Sequence, residues 1–133
     1  MTLETVRLDE SVKRNLAILK RRTGIDNWNV LCRWAFCLSV AQPTPTRDDM
    51  TASGSAIEMT WKTFGGEYAN SYLALLRHAC NRDYGSTEPS VLHSALRAHI
   101  ARGAAYLISN RSISSAEQLL ANIIDSNRNH TAA

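Results

Sequence analysis

The chain has 133 residues, 44% of them apolar and 20% charged, and a formal net charge of +3. That length suits one domain able to bury its own core. Its longest apolar run, Trp34–Ala41, is too short to span a bilayer. Residues 1–40 carry seven Lys/Arg against four acids, while residues 41–133 carry eight of each, so the whole excess lies in the opening segment. Such asymmetry points to an acidic partner, of which nucleic acid is the commonest.

Thr5-Val6-Arg7-Leu8 alternates polar and apolar residues and predicts a short strand. Asp9 is placed to cap a helix, with Glu10 in its first turn and Val12, Leu16 and Leu19 as its apolar stripe through about Arg22. Thr23-Gly24 ends it, with Gly24 in the left-handed position. Asp26 or Asn27 caps a second helix, which runs to about Ala41 and is stopped by Pro43 and Pro45. Residues 42–56 read as an exposed loop. The alternation of Ile57, Met59 and Trp61 with Glu58, Thr60 and Lys62 predicts an extended segment, broken at Gly65-Gly66. A third helix spans Glu67 to Asp83. A fourth runs from about Ser90 to Ser109 with Leu92, Leu96, Ile100, Gly103 and Leu107 as its stripe. Ser114-x-x-Glu117 is a capping-box pattern for a last helix to about Asp125. The expected organisation is one mainly α domain over residues 1–125, followed by an unstructured tail, 126–133.

On the first helix, Lys13, Arg14, Ala17, Lys20 and Arg21 occupy the side opposite the apolar stripe. Four cations surround a small residue with no acid among them, whereas a merely solvated face mixes signs in i,i+4 pairs. Such a face suits phosphates and would give salt-sensitive binding without sequence reading. Lys20, Arg21 and Arg22 also complement the helix dipole, which accounts for part of the pattern.

The second helix carries a single charge, Arg33, and is apolar nearly all round. A helix of that kind is buried all round. Trp28, Leu31, Trp34, Ala35, Phe36 and Leu38 are therefore expected at a subunit interface, the alternative being that the C-terminal helices wrap them within one chain. Arg33 needs a partner there, either an acid such as Asp26 or Glu67, or a phosphate. Strand, helix, turn and helix in an associating chain match the plan of ribbon-helix-helix repressors, with Thr5 and Arg7 facing outward.

Signals for catalysis are poor. His78, His93, His99 and His130 are scattered, and His93 and His99 do not have zinc-ligand spacing. Gly65-Gly66 lacks the remainder of a phosphate loop. Asp48-Asp49 has no third carboxylate nearby in sequence. Cys32, Cys37 and Cys80 form an odd set without metal spacing, read as buried thiols in a reducing, cytoplasmic setting. Charges at Glu4, Arg7, Asp9 and Glu10 rule out reading the start as a signal peptide. No cofactor or metal is expected.

The runs LKRRTGIDNWNVLCRWAFCLS (Leu19–Ser39) and TWKTFGGEYA (Thr60–Ala69), within Val6–Pro43 and Glu58–Leu76, resemble the DndE family of bacterial DNA sulfur-modification proteins. The resemblance covers roughly the first two thirds of the chain. It implies a small helical protein forming tetramers. It also implies partner proteins that replace a non-bridging phosphate oxygen of DNA by sulfur, and binding of duplex DNA, nicked duplexes preferentially, through surface cations. The matching positions are Lys20, Arg21 and Arg22, with Lys13, Arg14 and Lys62 as weaker candidates. Arg7, outward on the strand, is a further DNA-binding candidate by its position and not by the resemblance. A nicking activity is proposed within the family, but this sequence shows no catalytic constellation for it. The expected function is a non-catalytic DNA-binding subunit. The alternatives are a ribbon-helix-helix-type repressor, a nickase, and a scaffold whose basic face meets an acidic protein.

Overall fold

The computed structural model describes residues 4–46 and 56–110, together with Gln118 and Ala121. The predicted capping box at Ser114, most of the last helix, Asp48-Asp49, His130 and the tail from Ser126 lie outside the described residues. The elements in chain order are β1 (Thr5–Leu8), α1 (Glu10–Thr23), α2 (Trp28–Val40), β2 (Ile57–Thr60), α3 (Trp61–Gly65), a 3-10 turn (Gly66–Tyr68), α4 (Ala69–Tyr84) and α5 (Pro89–Ser109). The molecule is mainly helical, as the periodicities predict.

α1 begins and ends where its caps require. Asp9 Oδ1 accepts from the Val12 amide at 3.0 Å. Gly24 takes φ 74° and donates its amide to the Lys20 carbonyl. α2 starts after Asn27, which occupies the N-cap position without a side-chain hydrogen bond. The extended segment after residue 56 is shorter than its alternation suggested. Thr60 accepts from the Thr63 amide and starts α3, so Trp61 belongs to a helix.

α5 is the axis of the fold, and α1, α2, α4 and β1 all pack against it. α2 meets it most extensively and runs antiparallel to it, with Ala35 beside Gly103 and Ser39 beside His99. The stripe predicted for α5 is the buried one: Leu92, Leu96, Ile100, Gly103 and Leu107 are all buried. Phe36 is the aromatic centre, in edge contact with Phe64, Tyr72 and His99.

A polar pin joins α2 to α5. Ser39 Oγ lies 2.8 Å from His99 Nδ1, and Arg102 donates to Ser39 Oγ at 2.8 Å and to the Ser39 carbonyl at 2.7 Å. Arg102 also donates to the Thr44 and Pro45 carbonyls, so it ties down the chain leaving α2. The Ser39 carbonyl lies in the last turn of α2, where it also accepts from the Gln42 amide at 3.1 Å, and the Thr44 and Pro45 carbonyls follow in the chain beyond the helix; a guanidinium with several donors suits acceptors spread in this way.

Two expectations are corrected by the fold. β1 pairs antiparallel with β2 of the same chain, in the register Thr5↔Thr60, Val6↔Met59, Arg7↔Glu58 and Leu8↔Ile57. Its ribbon is therefore intramolecular, unlike the ribbon-helix-helix plan, in which two copies supply the strands. Of the six residues assigned to a subunit interface, Leu31, Ala35 and Phe36 are fully buried and Leu38 is 5% exposed within one chain. α5 and the α3–α4 region cover them, because a chain of this length does supply enough helices to wrap α2. Only Trp28 and Trp34 stay partly open.

Candidate nucleic-acid interface

α1 packs Val12, Leu16, Leu19 and Thr23 inward, which turns its opposite side to solvent. Lys13, Arg14 and Arg21 are exposed there and form no hydrogen bond or ion pair with a described residue. Ala17, half-buried, lies between them. The short side chain leaves a flat approach between three cations.

The other predicted cations are placed differently. Lys20 is half-buried, with Nζ 5.1 Å from the centre of the Trp28 ring. A cation over an indole face is held at about 0.5–1 kcal/mol when exposed, so Lys20 borders the face while bracing the α1–α2 turn. Arg22 is half-buried and donates to the Ile108 carbonyl at 2.8 Å, capping the last turn of α5. On the helical wheel Arg22 falls outside the Lys13–Arg21 face, and that signal was present in the sequence. Arg7 is exposed on β1, with Nε 3.7 Å from Glu58 of β2. Lys62 is exposed on α3, away from α1 in sequence and on another element.

Arg33 pairs with neither Asp26 nor Glu67. Nε donates to the Phe64 carbonyl at 2.5 Å and an Nη to the Thr63 carbonyl at 3.4 Å. Asn29 Nδ2 reaches the same Thr63 carbonyl at 3.2 Å. The guanidinium therefore caps α3, and the following turn is made by Gly66 at φ 61°. No sequence pattern marks such a contact, because its acceptors are backbone atoms thirty residues away.

All three cysteines are free thiols. Burial pushes the Cys32 thiol up to about 12 and the Cys80 thiol up to about 11, so neither is a thiolate at neutral pH. Cys37 is exposed, contrary to the expectation of three buried thiols. Among the described residues no group of three or more His, Cys, Asp or Glu side chains is placed to hold a metal ion. No helix among them is long and apolar enough to cross a membrane.

A family model described as DNA sulphur modification protein DndE matches residues 5–115. The chain belongs to the DndE family. Its fold is similar to the crystal structure of DndE from Escherichia coli B7A, involved in DNA phosphorothioation modification. The TM-score is 0.66 at 24% identity, over 79% of this chain and 98% of that one. A mutant DndE involved in DNA phosphorothioation has the same TM-score, 0.66, at 22% identity, over 82% of this chain and 100% of the other. No curated protein matches the chain. Membership rests on the family match, and the solved structures agree with it in fold. The matched segment contains all of α1 and α2, and so the whole of the exposed basic face.

Proposed function

We propose that the protein is a non-catalytic, DNA-binding subunit of the DNA phosphorothioation machinery, holding duplex DNA by its backbone phosphates. The observation that carries this reading is the outer face of α1, where Lys13, Arg14 and Arg21 stand exposed around Ala17, without an acidic partner among the described residues. Lys20 adds charge at its border. The face offers cations and no shaped base-reading element, so binding tolerates sequence and falls steeply with salt. The open side of α2, with Trp34 and the exposed Cys37, is the surface left for self-association. A tetramer would repeat the basic face and strengthen binding through multivalency.

The test is fluorescence anisotropy on intact and nicked duplexes of random sequence. Replacing Lys13, Arg14 and Arg21 together by Ala should weaken binding at low salt by roughly 10- to 100-fold. It should also lower the slope of log K against log salt by about 3, at about 0.9 for each phosphate no longer neutralised. Unchanged affinity would sink the proposal. Strand cleavage by the pure protein that a point substitution abolishes would overturn its non-catalytic part.

Arg22→Ala provides the contrast. It removes a charge-assisted bond to a helix-terminal carbonyl and should cost about 1 kcal/mol of stability. Because Arg22 is turned to α5, DNA affinity of the folded variant should change less than about twofold. Urea unfolding and anisotropy on one sample separate the two effects.

A further inference from the structure

α1 and α2 meet beside their turn through one cation and one ring. Trp28 opens α2 and is half-buried, with part of its surface packed on the core. Lys20 reaches over from α1, and its Nζ stands 5.1 Å from the ring centre. Lys20 precedes the exposed Arg21, and Lys13 lies two turns back on the same side of the helix. The indole therefore lies within one lysine length of the exposed basic face. On the α1 side its cover is a flexible ammonium rather than packed apolar atoms.

We infer that Trp28 receives an unstacked base of the DNA held on α1, and that Lys20 yields the ring to that base and turns to a phosphate. The inference rests on the DNA-binding reading of the α1 face and adds a preference within it. Two features select a nucleobase. The ring is planar and apolar, and it stands beside Lys13, Arg14 and Arg21, which are exposed and make no hydrogen bond or ion pair with a described residue. An aromatic surface next to cations that follow a phosphate backbone is the arrangement that unpaired nucleic acid needs. The exchange is also favourable. An exposed ammonium over an indole contributes about two- to fivefold to an equilibrium, whereas a base stacked on an aromatic ring contributes about fivefold to a hundredfold. The displaced ammonium then neutralises a phosphate.

Fully paired DNA gains little from Trp28. A base in an intact stack must first leave it, and that loss offsets the new contact. A base that is already extrahelical carries no such loss, so the contribution of Trp28 is confined to DNA with an unpaired base. The other two indoles are set differently. Trp61 is 6% exposed and stacked on Phe64, and Trp34 lies on the Cys37 side of α2.

The test is fluorescence anisotropy of the full chain on three duplexes of one sequence: fully paired, with a single bulged adenine, and with a bulged abasic nucleotide. The adenine bulge should bind about tenfold tighter than the abasic one. Its slope of log K against log salt should be steeper by about 0.9, for the phosphate that Lys20 takes up. Trp28→Leu should bring the adenine bulge to the level of the abasic one, and Trp28→Phe should keep most of the gain. In the wild type, the Trp28 ring-proton resonances should move upfield with the adenine bulge and not with the abasic one. Equal affinity for the two bulges overturns the inference, as does a gain that survives Trp28→Leu or one that Trp34→Leu removes instead. If the paired duplex binds and the two bulges are equal, stacking alone fails and the phosphate-binding reading stands. If none of the three duplexes binds, both fall.

Discussion

Gly103→Ala is expected to destabilise the protein by about 2 kcal/mol net, although alanine is the better helix former. A Cβ built at Gly103 would lie 1.9 Å from the Ala35 carbonyl oxygen, 2.4 Å from its carbon and 2.7 Å from its Cα. All three are backbone atoms of α2, so no side chain can swing away, and the two helices must separate. Overpacking of this kind costs about 1–3 kcal/mol and sometimes more, against about 1 kcal/mol gained in helix propensity. Separation also reaches Phe36, which is fully buried, and the Ser39–His99 contact one turn further along. The net loss should appear as a lower urea midpoint at unchanged m-value. Gly24→Ala is the comparison. Gly24 has φ 74° and nothing within 4 Å of its added Cβ, so only the left-handed backbone penalty of about 1–2 kcal/mol applies. Wild-type stability in Gly103→Ala would mean that α2 and α5 do not meet at this distance.

The sequence announced Gly103 as a member of the α5 stripe without saying why a glycine should stand there. Local signals were legible wherever the cause is local. Asp9 and Gly24 bound α1, and the apolar spacing of α1 and α5 marks their buried faces, because caps and stripes are properties of neighbouring residues. What could not be read was the identity of distant partners. β1 finds β2 some fifty residues later, and Arg22, Arg33 and Arg102 end on backbone carbonyls of other elements. A carbonyl is present at every residue, so no residue type advertises it. The same gap shaped the reading of α2. Its all-round apolarity showed that it is covered but not by what, and α5 turned out to cover most of it. The exposed side of α1 was more legible. Lys13, Arg14 and Arg21 are where the wheel put them, while Arg22, off the wheel's basic side, has a structural partner.

The second large effect is expected from acid. His99 is fully buried between α2 and α5, and burial, with the Arg102 cation beside it, pulls its pKa down from 6.5 to about 4. Ser39 Oγ already accepts from Arg102 Nε, so its own hydrogen is available to His99 Nδ1. The other ring nitrogen, Nε2, has no hydrogen-bond partner. A protonated ring would need two acceptors: Ser39 Oγ has one lone pair left for Nδ1, but Nε2 is offered none. Asp83 favours the cation but is held by Arg82 at 2.7 Å and 3.0 Å, and Arg82 itself opposes it. Between pH 6.5 and about 4 the unfolded chain therefore binds a proton at His99 that the folded chain refuses, and stability falls as pH falls. At about 1.4 kcal/mol per pH unit the loss approaches about 3 kcal/mol at the bottom of that window. Asp83, whose carboxyl Arg82 holds below its usual range, adds a loss of the same sign only where carboxylates begin to protonate. Urea midpoints measured from about pH 7 to about pH 4 should slope downward in the wild type and flatten in His99→Gln, which cannot titrate. A ring titration followed by NMR in the wild type gives the same answer without a variant: the His99 resonances should stay those of the neutral ring down to nearly pH 4. A midpoint near 6.5, or an equal slope in His99→Gln, would show that the α2–α5 pin is open to water and that Ser39 and Arg102 do not hold His99 as described.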